Sequence, residues 1–498
     1  MINEFILVRH ATCEHMDEML LGRAVDSPLD AHGLRQAEAT ANVLRHIYDP
    51  LMEPSGDDLT QFDPILAESW EFIEPTVLEV RLRRGITFHN GEPFNAEVVK
   101  YNIDRVTTQL PGQDAETLVA YRFTPIAGAE VVDEYTVRIR THEPDPLLIS
   151  RLGTLLIVPM EYTRDRGFNT LAREPVGTGP YTFVEWTPNQ RVVLEANQNY
   201  HLGPPRIDRV EFRPMPEVAT RLTELRAGNV DIIVGVPADN IQEIEATPGV
   251  SVASVPSARV AFLFLNTLDF DHIASPLVRR ALNHAVDVDA IIEHVMGGHA
   301  LRVATSVPPY FTGHNPDLKP YAYDPDLARR LLAEAGYPDG FSMRIMVPQG
   351  RYQMGVEATM AIAGYLEEVG IRTSVDVVEF GHFAQTTQQR VIDEAFYGAW
   401  GNELFHPLDS YGALMKCGTD AFSWYCSPEA DELARRAATT VDPEEHVSLL
   451  QDLERVIYED PPFLFLYAQE DLYGVSDRLV WEPRSDELIY MYEAEVRP

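Results

Sequence analysis

Lysine is nearly missing from this chain. Only Lys100, Lys319 and Lys416 occur in 498 residues, and every other basic side chain is arginine. With 77 acidic against 40 basic residues, the formal net charge is −37. A phosphate backbone is bound by clustered Lys and Arg, so nucleic acid is excluded as a partner. Two origins of the imbalance stand: a GC-rich genome, and an acidic surface suited to salt, which bears on solubility and not on fold. Long apolar runs are missing too, and no stretch approaches the roughly 18–20 apolar residues that a membrane span requires. The first residues carry no basic n-region, and Arg9-His10 ends their apolar run after Val8, so a secretory signal peptide is not expected here. Cysteine is limited to Cys13, Cys417 and Cys426. Cys13 stands among polar residues and makes no lipobox. No paired CxxC or HxxxH spacing accompanies the cysteines, so neither a metal site nor a cofactor is expected.

What is present is ordinary for a globular protein, with 45% hydrophobic and 23% charged residues. The length exceeds the roughly 250–300 residues at which single cores stop growing. The stretch ILAESWEFIEPTVLEVRLRRGITFHNGEPFNAEVVKYNIDRV, from Ile65 to Val106, is the most informative. Val77, Leu78, Val80 and Leu82 read as a strand, with turns at Arg84-Gly85 and His89-Asn90-Gly91. Asn95 is placed as a helix N-cap, and Val99, Ile103 and Val106 follow at helical spacing. This segment resembles the signature of family 5 extracytoplasmic solute-binding proteins, the dipeptide-, oligopeptide- and nickel-binding proteins of ABC importers. Pro175-Val176-Gly177-Thr178-Gly179-Pro180-Tyr181 is a second marker of that family.

The first forty residues resemble something else. Arg9-His10 with Thr12, then Gly22-Arg23, Asp26-Ser27-Pro28-Leu29 and Gly33-Leu34-Arg35-Gln36-Ala37 are similar to the opening of the histidine phosphatase superfamily. That resemblance implies a nucleophilic role for His10 and phosphate-clamping roles for Arg9 and Arg23. Phosphoryl transfer through histidine also needs a second histidine and a general acid. No later segment supplies them, and Gly297-Gly298-His299 follows a helix in binding-protein sequence. Residues 1–38 therefore read as an incomplete fragment, through gene fusion or misjoining, with no catalytic residue. Phe5–Val8 is expected to stand in for the family's first strand, and Gly33 to Leu51 to form one continuous helix.

The resemblance implies an α/β, bilobal, periplasmic-binding-protein-like fold of type II, with an extra subdomain and a two-strand hinge. The first lobe is expected over 39–62, 175–260 and 472–498, its inserted subdomain over 63–174, and the second lobe over 261–471. Crossings are placed near Ala261–Leu265 and Leu466–Leu472. Helices are read at Glu217–Ala227, after Ser275-Pro276, after Asp287 and after Asp324-Pro325. Ligand capture is expected in the cleft, with a peptide or other small polar solute bound by a monomer and passed to permease subunits. The family's compartment is periplasmic, or extracellular at the membrane.

In peptide-binding members a stretch like YGAWGNELFHPLDSYGALM lines the site. The resemblance assigns Trp400, Asn402 and Glu403 to ligand, with Glu403 where the family places an acid for the peptide amino terminus. His406-Pro407 replaces the family's Asp-Pro. Core packing for Trp400 and an exposed loop acid for Glu403 are the plain alternatives. Arg351 and Tyr352 occupy a loop after an apolar strand, where Arg351 either grips a carboxylate or is solvated. Tyr48 and Tyr310 are weaker choices, and His284, His294 and His299 are read as structural. The family's dipeptide-binding branch implies a Cys417–Cys426 disulfide, the alternative being two free thiols.

Overall fold

Alternating apolar residues and turn signals recur from Ile65 to the C-terminus, and the chain folds accordingly into short strands and amphipathic helices. The computed structural model describes the backbone of residues 4–9 and residues 42–497 apart from 57, 109–119, 172, 189, 403 and 419–421. The chain forms two compact units. Unit 1 comprises Met1–Ser254 and Leu472–Pro498, and unit 2 comprises Val255–Asp471. Both boundaries fall inside long strands, Val250–Leu265 and Phe463–Ser476.

In unit 1, Val77–Leu82 sits in a four-stranded antiparallel sheet with Ala67–Glu74, Thr136–Thr141 and Ile126–Asp133. The Asn95 side chain accepts hydrogen bonds from the Glu97 and Val98 amides at 3.1 and 3.2 Å, which starts the helix Ala96–Thr107. That helix lays Val99, Ile103 and Val106 on Leu78, Val80, Val137 and Ile139. A second large run of strands in the unit is ordered Ile232–Val234, Glu4–Arg9, Arg209–Pro214, Arg191–Ala196, Tyr181–Thr187. Glu4–Arg9 lies parallel to both neighbours, with Leu7 opposite Phe212 on one side and Ile232 on the other. The phosphatase-like opening thus contributes a strand flanked on both edges.

Residues 42–47 are helical. The expected continuation to Leu51 does not occur, because the Ile47 carbonyl accepts from Gly179 N–H at 2.8 Å and Pro50 follows. The start of that expected helix, 33–41, lies outside the described residues. The glycines of the Pro175–Tyr181 marker are explained at the same place. A Cβ at Gly177 would stand 2.0 Å from the Ile47 oxygen, and one at Gly179 would stand 2.6 Å from the His46 oxygen. His89 braces the loop, donating from Nε2 to the Gly179 carbonyl at 3.0 Å. The C-terminal tail closes over the helix 42–47. Ile489 N–H donates to Asn42 Oδ1 at 2.5 Å, and Met491 N–H donates to His46 Nε2 at 3.1 Å.

Unit 2 is built on parallel strands Arg372–Val378, Ser342–Pro348 and Ala395–Gly401, the last pairing antiparallel with Arg259–Leu265. Alternation sorts the faces of Val250–Leu265. Ala261, Leu263 and Leu265 join an aliphatic core with Val278, Leu282, Leu332, Ile345 and Ile362. Phe262 and Phe264 point the other way, into a ring cluster with Phe463 (4.7 Å from Phe262) and Phe396 (4.4 Å from Phe264). Two of the helices packed on the aliphatic core begin at caps read from sequence. Asp287 accepts from Ala290 N–H at 3.0 Å, and Asp324 accepts from Leu327 N–H at 2.8 Å. Among the described residues no helix is long and apolar enough to cross a membrane.

Candidate functional site

The parallel strands of unit 2 end together. Pro348 pairs with Val378, and Met346 pairs with Phe396, so counting on from that pair brings the turn after Pro348 level with Trp400. The carboxyl edge of parallel strands is where open α/β sheets bind ligands, because the loops there diverge and leave room. Trp400 and the Arg351-Tyr352 turn therefore share the carboxyl edge of one sheet.

Trp400 pairs with Val260 across the strand. Its indole ring is half-buried and lies 5.8 Å from Phe422. The indole N–H is buried and has no hydrogen-bond partner among the described residues. A buried donor without an acceptor costs about 1–3 kcal/mol, and a ligand acceptor would remove that cost. Phe422 lies inside the loop closed by the Cys417–Cys426 disulfide, whose Cα atoms are 4.3 Å apart. The short ring delivers an aromatic side chain, 38% exposed, to the Trp400 face. Next to Trp400, Gly401 pairs with Arg259, whose guanidinium would be 3.0 Å from a Cβ at Gly401.

Asn402, assigned to ligand in the sequence, is engaged by its own loop. Its amide is committed inside the loop, with Nδ2 donating to the His406 carbonyl at 2.8 Å and to Ser410 Oγ at 2.9 Å. Its Oδ1 accepts from His406 N–H at 3.1 Å, and the residue is buried. These bonds hold Phe405 in the left-handed region at φ 51°, uncommon for an aromatic residue. Glu403 lies outside the described residues.

His406, which stands in place of the family's aspartate, caps a helix. Its Nδ1 accepts from Leu408 N–H at 3.2 Å at the start of the helix Pro407–Leu414. Its Nε2 lies 2.9 Å from His446 Nε2 on the helix Pro443–Glu459. His446 Nδ1 donates to the Ala437 carbonyl at 2.9 Å. Nothing local announced this pair, since the two histidines are 40 positions apart and each reads as one polar residue on an apolar face.

Arg351 holds its guanidinium 5.1 Å over the Tyr352 ring, and Tyr352 meets Tyr397 at 5.8 Å. Tyr310 donates to the Ser257 carbonyl at 2.5 Å. His284 pairs with the Ala322 carbonyl at 2.8 Å and His299 with Glu470 at 2.9 Å. Tyr48 belongs to unit 1 and is 4% exposed, and burial drives its phenol well above the ordinary value. In this structure it offers a ligand little surface. His10 and Arg23 lie outside the described residues, and only the backbone of Arg9 is described. Among the described residues no three His, Cys, Asp or Glu side chains converge as metal ligands.

Comparison with known proteins adds the following. The sequence model of the bacterial extracellular solute-binding proteins, family 5 Middle, matches residues 61–422. That of the histidine phosphatase superfamily, branch 1, matches residues 5–50. The chain is 27% identical over 448 residues to heme-binding protein A of Haemophilus influenzae, covering 84% of this chain and 81% of that protein. It is 28% identical to the glutathione-binding protein GsiB of Pectobacterium atrosepticum, covering 83% and 82%. Among solved structures, the periplasmic binding protein DppA of Helicobacter pylori in complex with peptide STSA superposes with a TM-score of 0.82 at 25% identity, over 99% of this chain and 98% of that one. HbpA2 of Haemophilus parasuis superposes with a TM-score of 0.83 at 22% identity, over the full length of both.

Proposed function

Because the chain belongs to the bacterial extracellular solute-binding proteins of family 5, we propose that it is the substrate-binding component of an ABC importer. It takes a peptide or a similarly sized polar solute and delivers it to a membrane permease outside the cytoplasmic membrane. It acts as a monomer and performs no chemistry on its ligand. The observation that carries the reading is the carboxyl edge of unit 2, where Trp400 presents an indole N–H without a partner among the described residues, beside Phe422 and level with the Arg351-Tyr352 turn. Relatives whose names record glutathione, heme and peptide ligands support a solute of that size. Within this reading Trp400 and Phe422 cover the ligand, Arg351 and Tyr352 flank it, and Glu403 meets a positive group. Asn402 acts indirectly, by shaping the loop.

Native mass spectrometry of the purified protein should find a small molecule bound in stoichiometric amount. Melting with reduced glutathione and with a di- and tripeptide series should show a concentration-dependent rise in Tm, as ligand binding to the folded state demands. Trp400→Ala should remove that rise. Turnover of a generic phosphomonoester, lost in His10→Ala, would instead make the phosphatase-like opening the functional part.

A further inference from the structure

We propose that His406 and His446 form an acid-sensitive latch on the loop that carries Trp400 into the helix Pro407–Leu414. The inference concerns regulation of the site assigned above and rests on that assignment for its functional meaning. The geometry fixes the protons. A carbonyl oxygen only accepts, so His446 Nδ1 carries a hydrogen toward Ala437. Leu408 N–H donates to His406 Nδ1, so that nitrogen carries none, and the His406 hydrogen is on Nε2. His406 Nε2–H therefore donates to the bare Nε2 of His446, at 2.9 Å. All four ring nitrogens are engaged with two protons between them.

A third proton has only two places to go. On His446 Nε2 it faces the His406 N–H and breaks the pair. On His406 Nδ1 it faces Leu408 N–H and breaks the helix cap. The first is easier, because a side chain can withdraw while the first turn of a helix cannot. Either event frees His406, whose backbone N–H and carbonyl are what Asn402 holds. The loop between Trp400 and the helix then loses its anchor.

The surroundings resist the extra charge. Leu408, Leu433, Leu449 and Leu450 pack around Ala437 next to the pair. The helix Pro407–Leu414 carries one carboxylate, Asp409, which is half-buried. From the helix Pro428–Thr439, Asp431 is taken by Tyr411 Oη at 2.6 Å, and Arg435 and Arg436 are exposed. From the helix Pro443–Glu459, Glu444 and Glu445 are exposed, and Glu454 is taken by Thr305 and Asn315. Burial accordingly holds His446 below its ordinary value of 6.5, against a smaller opposing pull from the Ala437 carbonyl. A histidine depressed in this way contributes its stability above about pH 6.5 and loses it as the pH falls.

Hydrogen exchange of the unliganded protein, read by mass spectrometry on peptides covering 402–415 and corrected for intrinsic rates, tests the latch at pH 7.5 and 5.5. In the wild type, exchange should be about tenfold faster at pH 5.5. His446→Gln keeps an acceptor for His406 and removes the easier of the two protonation sites, so its corrected exchange should rise much less between pH 7.5 and 5.5 than that of the wild type. His406→Asn keeps an acceptor for Leu408 N–H but lacks the ring, so it should exchange fast at both. Equal protection of the wild type at the two pH values, a wild-type response in His446→Gln, or full protection in His406→Asn would each overturn the proposal. No arm uses a ligand, so failure of the latch and failure of the transport assignment are read separately.

Discussion

Glu454 holds a proton at neutral pH. It is buried on the helix Pro443–Glu459, and burial pushes its carboxyl up to about 8, against hydrogen bonds from Thr305 and Asn315 that favour the charged form. The folded chain keeps this proton until about pH 8, while the unfolded chain releases it near 4.5. Between those values the folded state binds more protons, so stability falls as the pH rises through that window. Glu454→Gln cannot ionise, and its amide can still donate to Thr305 Oγ1 while accepting from Asn315 N–H. Denaturant melts should show the variant more stable than the wild type by on the order of 3 kcal/mol at pH 9. That gain should shrink toward zero at pH 4.5.

Elements in this protein start where nearby residues say and stop where distant ones decide. Asn95, Asp287 and Asp324 were legible as caps because each satisfies amides two or three residues ahead. The alternation of Val77, Leu78, Val80 and Leu82 was legible for the same reason, since period two is a local property. The end of the helix 42–47 was not, because the group that takes the Ile47 carbonyl is Gly179, far along the chain. The candidate site divides in the same way. Trp400 and the Arg351-Tyr352 turn were read from resemblance and strand pattern. The His406–His446 pair, the approach of Phe422 to Trp400 and the internal use of the Asn402 amide depend on packing that no spacing reveals. Two substitutions probe this scale. Gly177→Ala puts a methyl group onto the Ile47 carbonyl and should destabilise unit 1 by on the order of 3 kcal/mol in equilibrium unfolding. Replacing Cys417 and Cys426 by serine opens a ring spanning nine sequence positions. That change should cost about 2–3 kcal/mol, seen as a lower denaturant midpoint that dithiothreitol no longer shifts.

On the scale of the whole molecule, the first strand of the phosphatase-like opening is built into a sheet of unit 1. Glu4–Arg9 has a parallel partner on each side, so its backbone groups complete a sheet and are not an added edge. Leu7→Pro removes the N–H at one of the two residues, Leu7 and Val8, that pair on both sides, and should lower the Tm by several degrees, whereas His10→Ala should leave it unchanged. Differential scanning calorimetry of the two variants separates a structural from a catalytic use of the segment. The fold was legible at this scale from the markers at Ile65–Val106 and Pro175–Tyr181. The two-sided pairing of residues 4–9 was not, since periodicity tells an inner strand from an edge strand only weakly. Unit 1 takes its material from both ends of the chain, and its last pieces are Leu472–Ser476 and the tail that reaches Asn42 and His46. A ribosome therefore delivers unit 2 whole before unit 1 has its final strand. The N-terminal half must wait, incomplete, through the synthesis of more than two hundred intervening residues (Val255–Asp471), with unpaired strand edges open to aggregation for all of that time.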